Sequence, residues 1–254
     1  MLKRVDAVDA FKIDRLTVDY DAGQGSSHSP LQDFSLAIRE GEITCLLGPS
    51  GCGKTTLLKA LGGFIVGRDT GGVLFEGRFL AEPTPEIVMI FQENNLFPWL
   101  TVRGNVGFGL KFKKVPGPHD AAIAEMLRTV GLSEAAGRYP HQLSGGMRQR
   151  TAIARALITD PRVLLLDEPF SSLDVSLRRR MQALMHELWE ETGKTMVMVT
   201  HSIEEAIHVG HRVVVLGDKP ARVLIDADTR SPAMKDRYSA EFLQLQQRIE
   251  AVIY

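Results

Sequence analysis

Apolar residues along the chain form short runs that alternate with helix-like stripes, which is the pattern of an α/β protein. Alternation at Phe11, Ile13, Leu16 and Val18 predicts a first strand that ends at Tyr20. Short apolar runs predict seven further strands, at Leu36–Ile38, Ile43–Leu47, Gly72–Phe75, Glu86–Phe91, Val163–Leu166, Thr195–Thr200 and Arg212–Leu216. The last four runs do not alternate, so we expect those strands to be covered on both faces.

Helical periodicity is clearest in the middle and at the end of the chain. It predicts helices at Ala121–Val130 and Gly145–Ile158, and a closing amphipathic helix after Tyr238. We interpret residues 1–254 as one domain with a helical subdomain, residues 92–160, inserted into it. The α/β core of this domain, with a β-subdomain, comprises residues 1–91 and 161–254. The polar stretch at residues 21–30 predicts a flexible hairpin loop.

Composition and charge narrow the classes of function. The formal net charge of −1 gives no general attraction to nucleic acid, so we expect no nucleic-acid partner. No apolar run approaches the roughly 20 residues that span a bilayer, and the first residues lack the apolar segment of a secretory signal. Cys45 and Cys52 are poorly placed for a disulfide, which favours a reducing, cytoplasmic compartment.

A glycine-rich segment follows the predicted strand Ile43–Leu47. It reads Gly-Pro-Ser-Gly-Cys-Gly-Lys-Thr over residues 48–55 and leads into a predicted helix. Glycines let successive backbone N–H groups point into one concavity, and the helix N-terminus adds partial positive charge. Lys54 can reach the outer phosphates of a nucleotide, and the Thr55 hydroxyl can hold Mg²⁺. The segment predicts a nucleotide site; the alternative is a turn that only joins a strand to a helix.

Two carboxylates, Asp167 and Glu168, end the predicted strand Val163–Leu166. Asp167 is placed to bind Mg²⁺ directly or through water. Glu168, one residue later, is the natural group to polarise an attacking water. The alternative is a pair of solvated acids at the end of a strand.

A second anion-binding pattern occurs almost a hundred residues after the first. Ser144, Gly145 and Gly146 open a predicted helix, with a hydroxyl and exposed backbone N–H groups at its N-terminus. The alternative is a simple helix cap with flexible glycines.

With these motifs in this order, the chain resembles the nucleotide-binding subunit of ATP-binding cassette (ABC) transporters over nearly its whole length. The resemblance implies a P-loop NTPase core with a mixed sheet, an N-terminal antiparallel β-subdomain and an inserted α-helical subdomain. It also implies that the Leu-Ser-Gly-Gly motif of one copy covers the γ-phosphate held by the phosphate loop of a second copy. Two copies are therefore expected to pair head to tail.

The resemblance assigns roles to four more residues. Tyr20 matches the aromatic residue that stacks on adenine, although a tyrosine can also simply close an edge strand. Gln92 matches the glutamine that senses Mg²⁺ and the attacking water and links to the membrane subunit. Asp174 matches the loop that crosses the dimer interface, and His201 matches the switch histidine that contacts the γ-phosphate.

The expected site residues fall into three groups. The expected catalytic residues are Glu168, His201 and Gln92. The residues expected to contact ATP are Tyr20, Gly48, Pro49, Ser50, Gly51, Cys52, Gly53, Lys54, Thr55, Thr56, Ser144, Gly145, Gly146 and Asp174. The expected Mg²⁺ ligands are Thr55, Gln92 and Asp167.

Within the family, the segments at residues 91–110 and 219–222 are similar to those of nitrate, sulfonate and taurine importers. This similarity implies an ATPase that energises uptake of a small solute through integral membrane permeases, together with a periplasmic or lipid-anchored solute-binding protein. Its place would be the cytoplasmic face of the bacterial inner membrane. Two alternatives stay open: an importer of a thiamine-type precursor, and a soluble ABC ATPase of the cluster-assembly type. Phe97 and Trp99 predict a docking site for a permease helix, unless both rings lie inside the helical insertion.

Overall fold

The computed structural model describes residues 8–21, 27–67, 71–92, 95–112, 116–171 and 173–253. The chain divides into two compact units, which are described separately. The first comprises residues 1–84 and 193–254, and the second comprises residues 85–192. The boundaries predicted for the helical subdomain, residues 92–160, stay a prediction.

The described residues contain ten strands and eight α-helices. The strands are β1 (Asp9–Asp21), β2 (Ser27–Arg39), β3 (Ile43–Leu47), β4 (Gly72–Phe75), β5 (Arg78–Phe79), β6 (Ile87–Ile90), β7 (Val163–Asp167), β8 (Thr195–Thr200), β9 (Arg212–Gly217) and β10 (Arg222–Asp228). The helices are α1 (Lys54–Leu61), α2 (Val102–Phe112), α3 (Asp120–Thr129), α4 (Gly145–Leu157), α5 (Val175–Thr192), α6 (Ile203–Val209), α7 (Pro232–Lys235) and α8 (Ala240–Ile253). Within this part of the chain, no helix is both long and apolar enough to cross a bilayer.

A mixed sheet forms the centre of the first unit. Its middle strand, β3, pairs in parallel with β8 and β9, and β10 pairs antiparallel with β9. Every residue of β3, β8 and β9 is buried. This burial explains why these strands are largely apolar runs in the sequence. It confirms the predicted coverage on both faces for β8 and β9, and β7 is likewise buried along its whole length, whereas two of the four residues of β6 are only partly buried.

An antiparallel sheet of order β2-β1-β4-β5 forms the other layer of the first unit. The β1–β2 register shifts at several points, and two non-glycine residues at these shifts, Arg15 (φ 44°) and Asp33 (φ 50°), have left-handed backbones. Side-chain hydroxyls accept the backbone N–H groups displaced there: Ser35 accepts from Arg15 at 3.0 Å, and Thr17 accepts from Asp33 at 3.1 Å. The bulges are therefore stabilised by hydrogen bonds.

The hairpin loop predicted at residues 21–30 is wrong at both ends. Asp21 still belongs to β1 and Ser27–Pro30 already belong to β2, with Tyr20 opposite His28. Residues 22–26 lie outside the described residues. Serine and glycine are rare in strands, so composition favoured a loop, but pairing with β1 supplies the backbone hydrogen bonds that composition does not predict.

The second unit combines a parallel strand pair, β6 and β7, with helices α2 to α5. Buried apolar residues of α2, α3 and α4 and of the segments that join α3 to α4 form one core cluster: Val102, Val106, Leu110, Ile123, Leu127, Val130, Leu132, Ala135, Leu143 and Ala154. The helices of this unit thus share a hydrophobic core of their own.

Candidate active site

The glycine-rich segment connects β3 to α1 in a conformation that glycine alone adopts easily. Gly48, Gly51 and Gly53 have φ values of 154°, 77° and 100°. A Cβ atom added at Gly48 would lie only 2.1 Å from the carbonyl oxygen of Leu216. Both the backbone angles and the space therefore require glycine here, as expected for a loop whose N–H groups turn inward.

Lys54 is held inside this loop. Its side chain is almost fully buried, and its Nζ donates hydrogen bonds to the carbonyl oxygens of Gly48 at 2.7 Å and Pro49 at 2.8 Å. Cys52 is also buried, and its Sγ lies 3.8 Å from the same Nζ. The loop therefore holds one ammonium group against its own backbone, where an incoming phosphate would meet it.

Tyr20 lies beside the helix that follows the loop. Its hydroxyl is 3.4 Å from the Thr56 hydroxyl in the first turn of α1, and its side chain is 41% exposed. An exposed ring next to a phosphate loop can offer its face to a purine base. Stacking on adenine stays a prediction.

His201 follows β8 at the same sheet edge as the loop. Leu47 is paired with Thr200, so Gly48 and His201 are the next residues of two neighbouring parallel strands. The turn after His201 is fixed by Ser202, whose hydroxyl accepts the Glu205 N–H at 3.3 Å and caps α6. Glu205 is also hydrogen-bonded to the Thr200 hydroxyl.

Gln92 and Glu168 meet in the second unit. Ile90 of β6 is paired with Leu166 of β7, so the residues that follow both strands emerge at one edge. The Nε2 of Gln92 donates to Oε2 of Glu168 at 3.3 Å. Glu168 has a left-handed backbone with φ 46°, a conformation that costs a non-glycine residue about 1–2 kcal/mol. Such strain at a carboxylate is typical of functional positions.

Asp167 is the last residue of β7 and is buried. A buried carboxylate at a strand end can serve as an oxygen ligand for a hard cation. In the described residues, no group of three His, Cys, Asp or Glu side chains could hold a metal ion by itself. Any Mg²⁺ here would need further oxygen ligands from a nucleotide and water.

The Ser-Gly-Gly segment opens α4 as predicted. The Ser144 hydroxyl accepts the Met147 N–H at 3.3 Å and so caps the helix. A Cβ atom on Gly146 would lie 1.9 Å from Cδ2 of Leu177. Asp174 caps α5 by accepting the Leu177 N–H at 2.9 Å. Ser144 and Asp174 therefore each have a structural role, and Leu177 links the two segments.

Aromatic side chains cluster near the start of α2. The Phe97 ring lies 4.3 Å from Phe108 and 5.5 Å from Trp99, centroid to centroid, and the Arg155 guanidinium lies over it at 5.3 Å. Burial lowers the pKa of Arg155. Trp99 is 70% exposed, whereas Phe97 is half-buried. The alternative that both rings lie inside the helical insertion is therefore wrong for Trp99, and docking of a permease helix stays a prediction.

The role of Asn105 was not predicted from the sequence. This residue is fully buried, and its side chain is hydrogen-bonded to the backbone of Phe97, Leu100 and Thr101. It fixes the segment that carries Trp99. An asparagine in a helical pattern usually faces solvent, so the sequence contained no signal for this anchor.

Comparisons with known proteins identify the family to which the chain belongs. The family described as "ABC transporter" matches residues 31–171. A taurine import ATP-binding protein of Rhizobium johnstonii is 40% identical over 252 residues, with 96% of each chain covered. The taurine import ATP-binding protein of Escherichia coli K12 is 46% identical over 195 residues, with 76% of each chain covered.

Solved structures agree as well. A dimeric ATP-binding cassette in a post-hydrolysis state, bound to ADP and Pi, has a TM-score of 0.78 and 33% identity, covering 87% of this chain and 99% of its own. A dimeric bacterial ABC transporter cassette has a TM-score of 0.77, 32% identity and the same coverage. These matches confirm the fold class and the resemblance predicted from the motifs. The chain therefore belongs to the ABC transporter family, and it is an ATPase of that family.

Proposed function

We propose that the chain hydrolyses ATP to drive the import of a small sulfonate such as taurine through separate membrane permease subunits. The hydrogen bond between Gln92 and Glu168 carries the hydrolytic part of the proposal. It places an amide and a carboxylate side by side, which are the two groups needed to orient a water and to accept its proton. The names of the relatives support taurine as the solute.

The phosphate loop binds the triphosphate through its inward N–H groups and Lys54, which exchanges its two carbonyl partners for phosphate oxygens. The Tyr20 ring stacks on adenine. Glu168 takes a proton from the attacking water as its oxygen bonds to the γ-phosphorus and the bond to the bridging oxygen breaks. His201 contacts the γ-phosphate. The products are ADP and inorganic phosphate.

Mg²⁺ fits the oxygen donors that these residues supply. Thr55 offers a hydroxyl, Gln92 an amide oxygen and Asp167 a carboxylate, all hard ligands that suit this cation. The small number of protein ligands matches the preference of Mg²⁺ for phosphate and water in its remaining positions. When bound, Mg²⁺ neutralises part of the charge on the phosphates.

A second copy of the chain completes each nucleotide site. Ser144, Gly145 and Gly146 of one copy cover the nucleotide held by the phosphate loop of the other, and Asp174 lies at the interface. The dimeric state of both solved cassettes supports a head-to-tail pair. Closure of the pair is then coupled to ATP binding, and hydrolysis lets it reopen.

The exposed Trp99 ring, backed by Phe97 and Phe108, is the surface we propose for docking of a permease helix. The chain would then work as a peripheral subunit on the cytoplasmic face of the inner membrane. A periplasmic or lipid-anchored solute-binding protein would deliver the solute on the other side. None of the relatives described above supports a thiamine-precursor importer or a cluster-assembly ATPase.

Glu168→Gln tests the hydrolytic part. We expect ATP binding to be retained, hydrolysis to fall at least about 100-fold, and an ATP-bound dimer to accumulate in analytical ultracentrifugation. Glu187→Gln, which changes an exposed carboxylate of α5 in the same way, is the matched control and should remain active. A Glu168→Gln variant that hydrolyses ATP as a monomer at the wild-type rate would refute the mechanism.

The solute is tested through the solute-binding protein encoded beside this chain. Calorimetry of that purified protein with taurine, other sulfonates, nitrate and a thiamine precursor should show selective binding of taurine or another sulfonate. Selective binding of the thiamine precursor would refute the sulfonate assignment while leaving the ATPase intact.

A further inference from the structure

The end of β9 and the turn that follows it lie against the phosphate loop. A Cβ atom on Gly48 would meet the carbonyl oxygen of Leu216. A Cβ atom on Gly51, at the tip of the loop, would lie 3.1 Å from Nζ and 3.6 Å from Cε of Lys219. The Lys219 ammonium is therefore within contact distance of the loop tip.

Lys219 has no counter-ion among the residues that the structure describes. Its side chain is exposed and makes no hydrogen bond or ion pair with any residue of the described ranges. The neighbouring carboxylate, Asp218, does not pair with it either, and its own backbone is left-handed at φ 63°. An exposed ammonium beside the loop is available to an anion that binds there.

The charge of the loop makes an anion the natural partner. Residues 48–56 contain no acidic side chain, and Lys54 already adds one positive charge inside the loop. A second ammonium beside the same loop adds to the repulsion between cations. A polyphosphate bound at the loop would relieve this repulsion through charge-assisted hydrogen bonds.

We propose that Lys219 is a second phosphate-binding cation, which contacts the phosphate chain of the nucleotide from the tip of the loop at Gly51. The inference rests on the proposed function, because it requires a nucleotide at this loop. It assigns a role to a lysine outside the glycine-rich motif, carried by the turn after β9.

The test compares Lys219→Met with Arg222→Met, which removes the same charge from an exposed side chain three residues later. Equilibrium binding of ATP to the whole chain is measured with each variant. We expect the Kd for ATP to rise about threefold to tenfold in Lys219→Met and to stay within about twofold in Arg222→Met. Lys219→Arg should retain most of the affinity, and the loss should shrink at high ionic strength.

Equal affinities in the two methionine variants would overturn the inference. An equal loss for adenosine, which lacks phosphate, would overturn it too, because the effect would then be general. Lys54→Ala separates this inference from the proposed function. If Lys54→Ala abolishes ATP binding and Lys219→Met does not change it, only the role of Lys219 fails. If Lys54→Ala also binds ATP normally, the nucleotide site and the proposed function fail with it.

Discussion

Removing the Asn105 side chain should destabilise the second unit and loosen the segment that carries Trp99. Asn105 is fully buried, and its Oδ1 accepts the Phe97 N–H at 2.8 Å. Its Nδ2 lies 3.0–3.1 Å from the carbonyl oxygens of Phe97, Leu100 and Thr101. One side chain thus holds a whole turn of backbone in place before α2.

The size of the effect follows from the number of bonds. The amide has two hydrogens, so it satisfies two of the three carbonyls at a time and makes about three hydrogen bonds in all. At about 0.5–1.5 kcal/mol each, Asn105→Ala should lower the free energy of unfolding by about 2–4 kcal/mol. Asn105→Asp keeps the shape but turns donors into acceptors that face carbonyl oxygens, so it should cost at least as much.

Urea unfolding followed by circular dichroism measures this loss. With a slope of about 2–3 kcal/mol per molar urea, a loss of about 3 kcal/mol lowers the midpoint by about 1–1.5 M. Thr101→Ala is the control. Within the described residues its hydroxyl accepts one hydrogen bond, from the Gly104 N–H at 3.2 Å, and losing it should cost about 1 kcal/mol. Hydrogen exchange at the Phe97 amide should accelerate in both Asn105 variants.

The reasoning fails if Asn105→Ala and Asn105→Asp both remain within about 0.5 kcal/mol of the wild type. It also fails if the aspartate variant is clearly more stable than the alanine variant, because the direction of the hydrogen bonds would then be irrelevant.

Three further outcomes are expected. Trp99→Ala should abolish solute uptake in the assembled transporter and leave ATP hydrolysis by the isolated chain unchanged, because the ring is 70% exposed; unchanged uptake would reject the docking surface. Gly146→Ala should lower the Tm, because the new Cβ would lie 1.9 Å from Leu177. The double variant Gly146→Ala with Leu177→Ala should regain part of the lost Tm. If the Tm does not recover, this contact is not the cause. Hydrogen bonds from Arg212 lower the pKa of Asp226 in the folded state. The ionised carboxylate therefore stabilises the fold fully above its unfolded pKa of about 3.9. This stabilisation is lost as the pH falls through the lower pKa of the folded state. Because the pair is partly exposed, Asp226→Asn should cost about 1 kcal/mol or less at pH 7, and the difference in urea unfolding should shrink below about pH 4; a constant difference would contradict the linkage.

The core strands could be predicted because their burial leaves a direct mark on the sequence. The run Thr195–Thr200 became β8 with the predicted bounds, and all six of its residues are buried. β10 was missed, because its residues are mostly exposed and Ile225 is its one buried residue. A strand at the edge of a sheet lacks the unbroken apolar run that indicates a central strand.

Helix α2 was also missed, and the reason lies in its glycines. Gly104, Gly107 and Gly109 each lower the helix propensity by about 1 kcal/mol relative to alanine. These glycines allow close tertiary packing: a Cβ atom on Gly107 would lie 2.8 Å from Ile123, and one on Gly109 would lie 2.6 Å from Thr159. Packing against α3 and the end of α4 therefore overrides local propensity, and a single sequence does not reveal such packing.

In the candidate site too, local features could be predicted from the sequence and long-range contacts could not. The phosphate loop is a local motif, so its strand, glycines and helix could be predicted together. The bond between Gln92 and Glu168 depends on the register of β6 against β7. The approach of Lys219 to Gly51 depends on the register of β9 against β3. Contacts that arise from strand register join distant residues, and local patterns do not specify them.

The two hydrogen bonds that Lys54 makes to its own loop also bear on which anions the site accepts. An anion that reaches the lysine must first displace two carbonyl oxygens, so it competes with the loop itself. Inorganic phosphate offers few more contacts than it displaces, whereas a triphosphate engages the lysine and many loop N–H groups at once. The loop thus contains an internal competitor for its lysine, which favours an anion with many contacts over one with few.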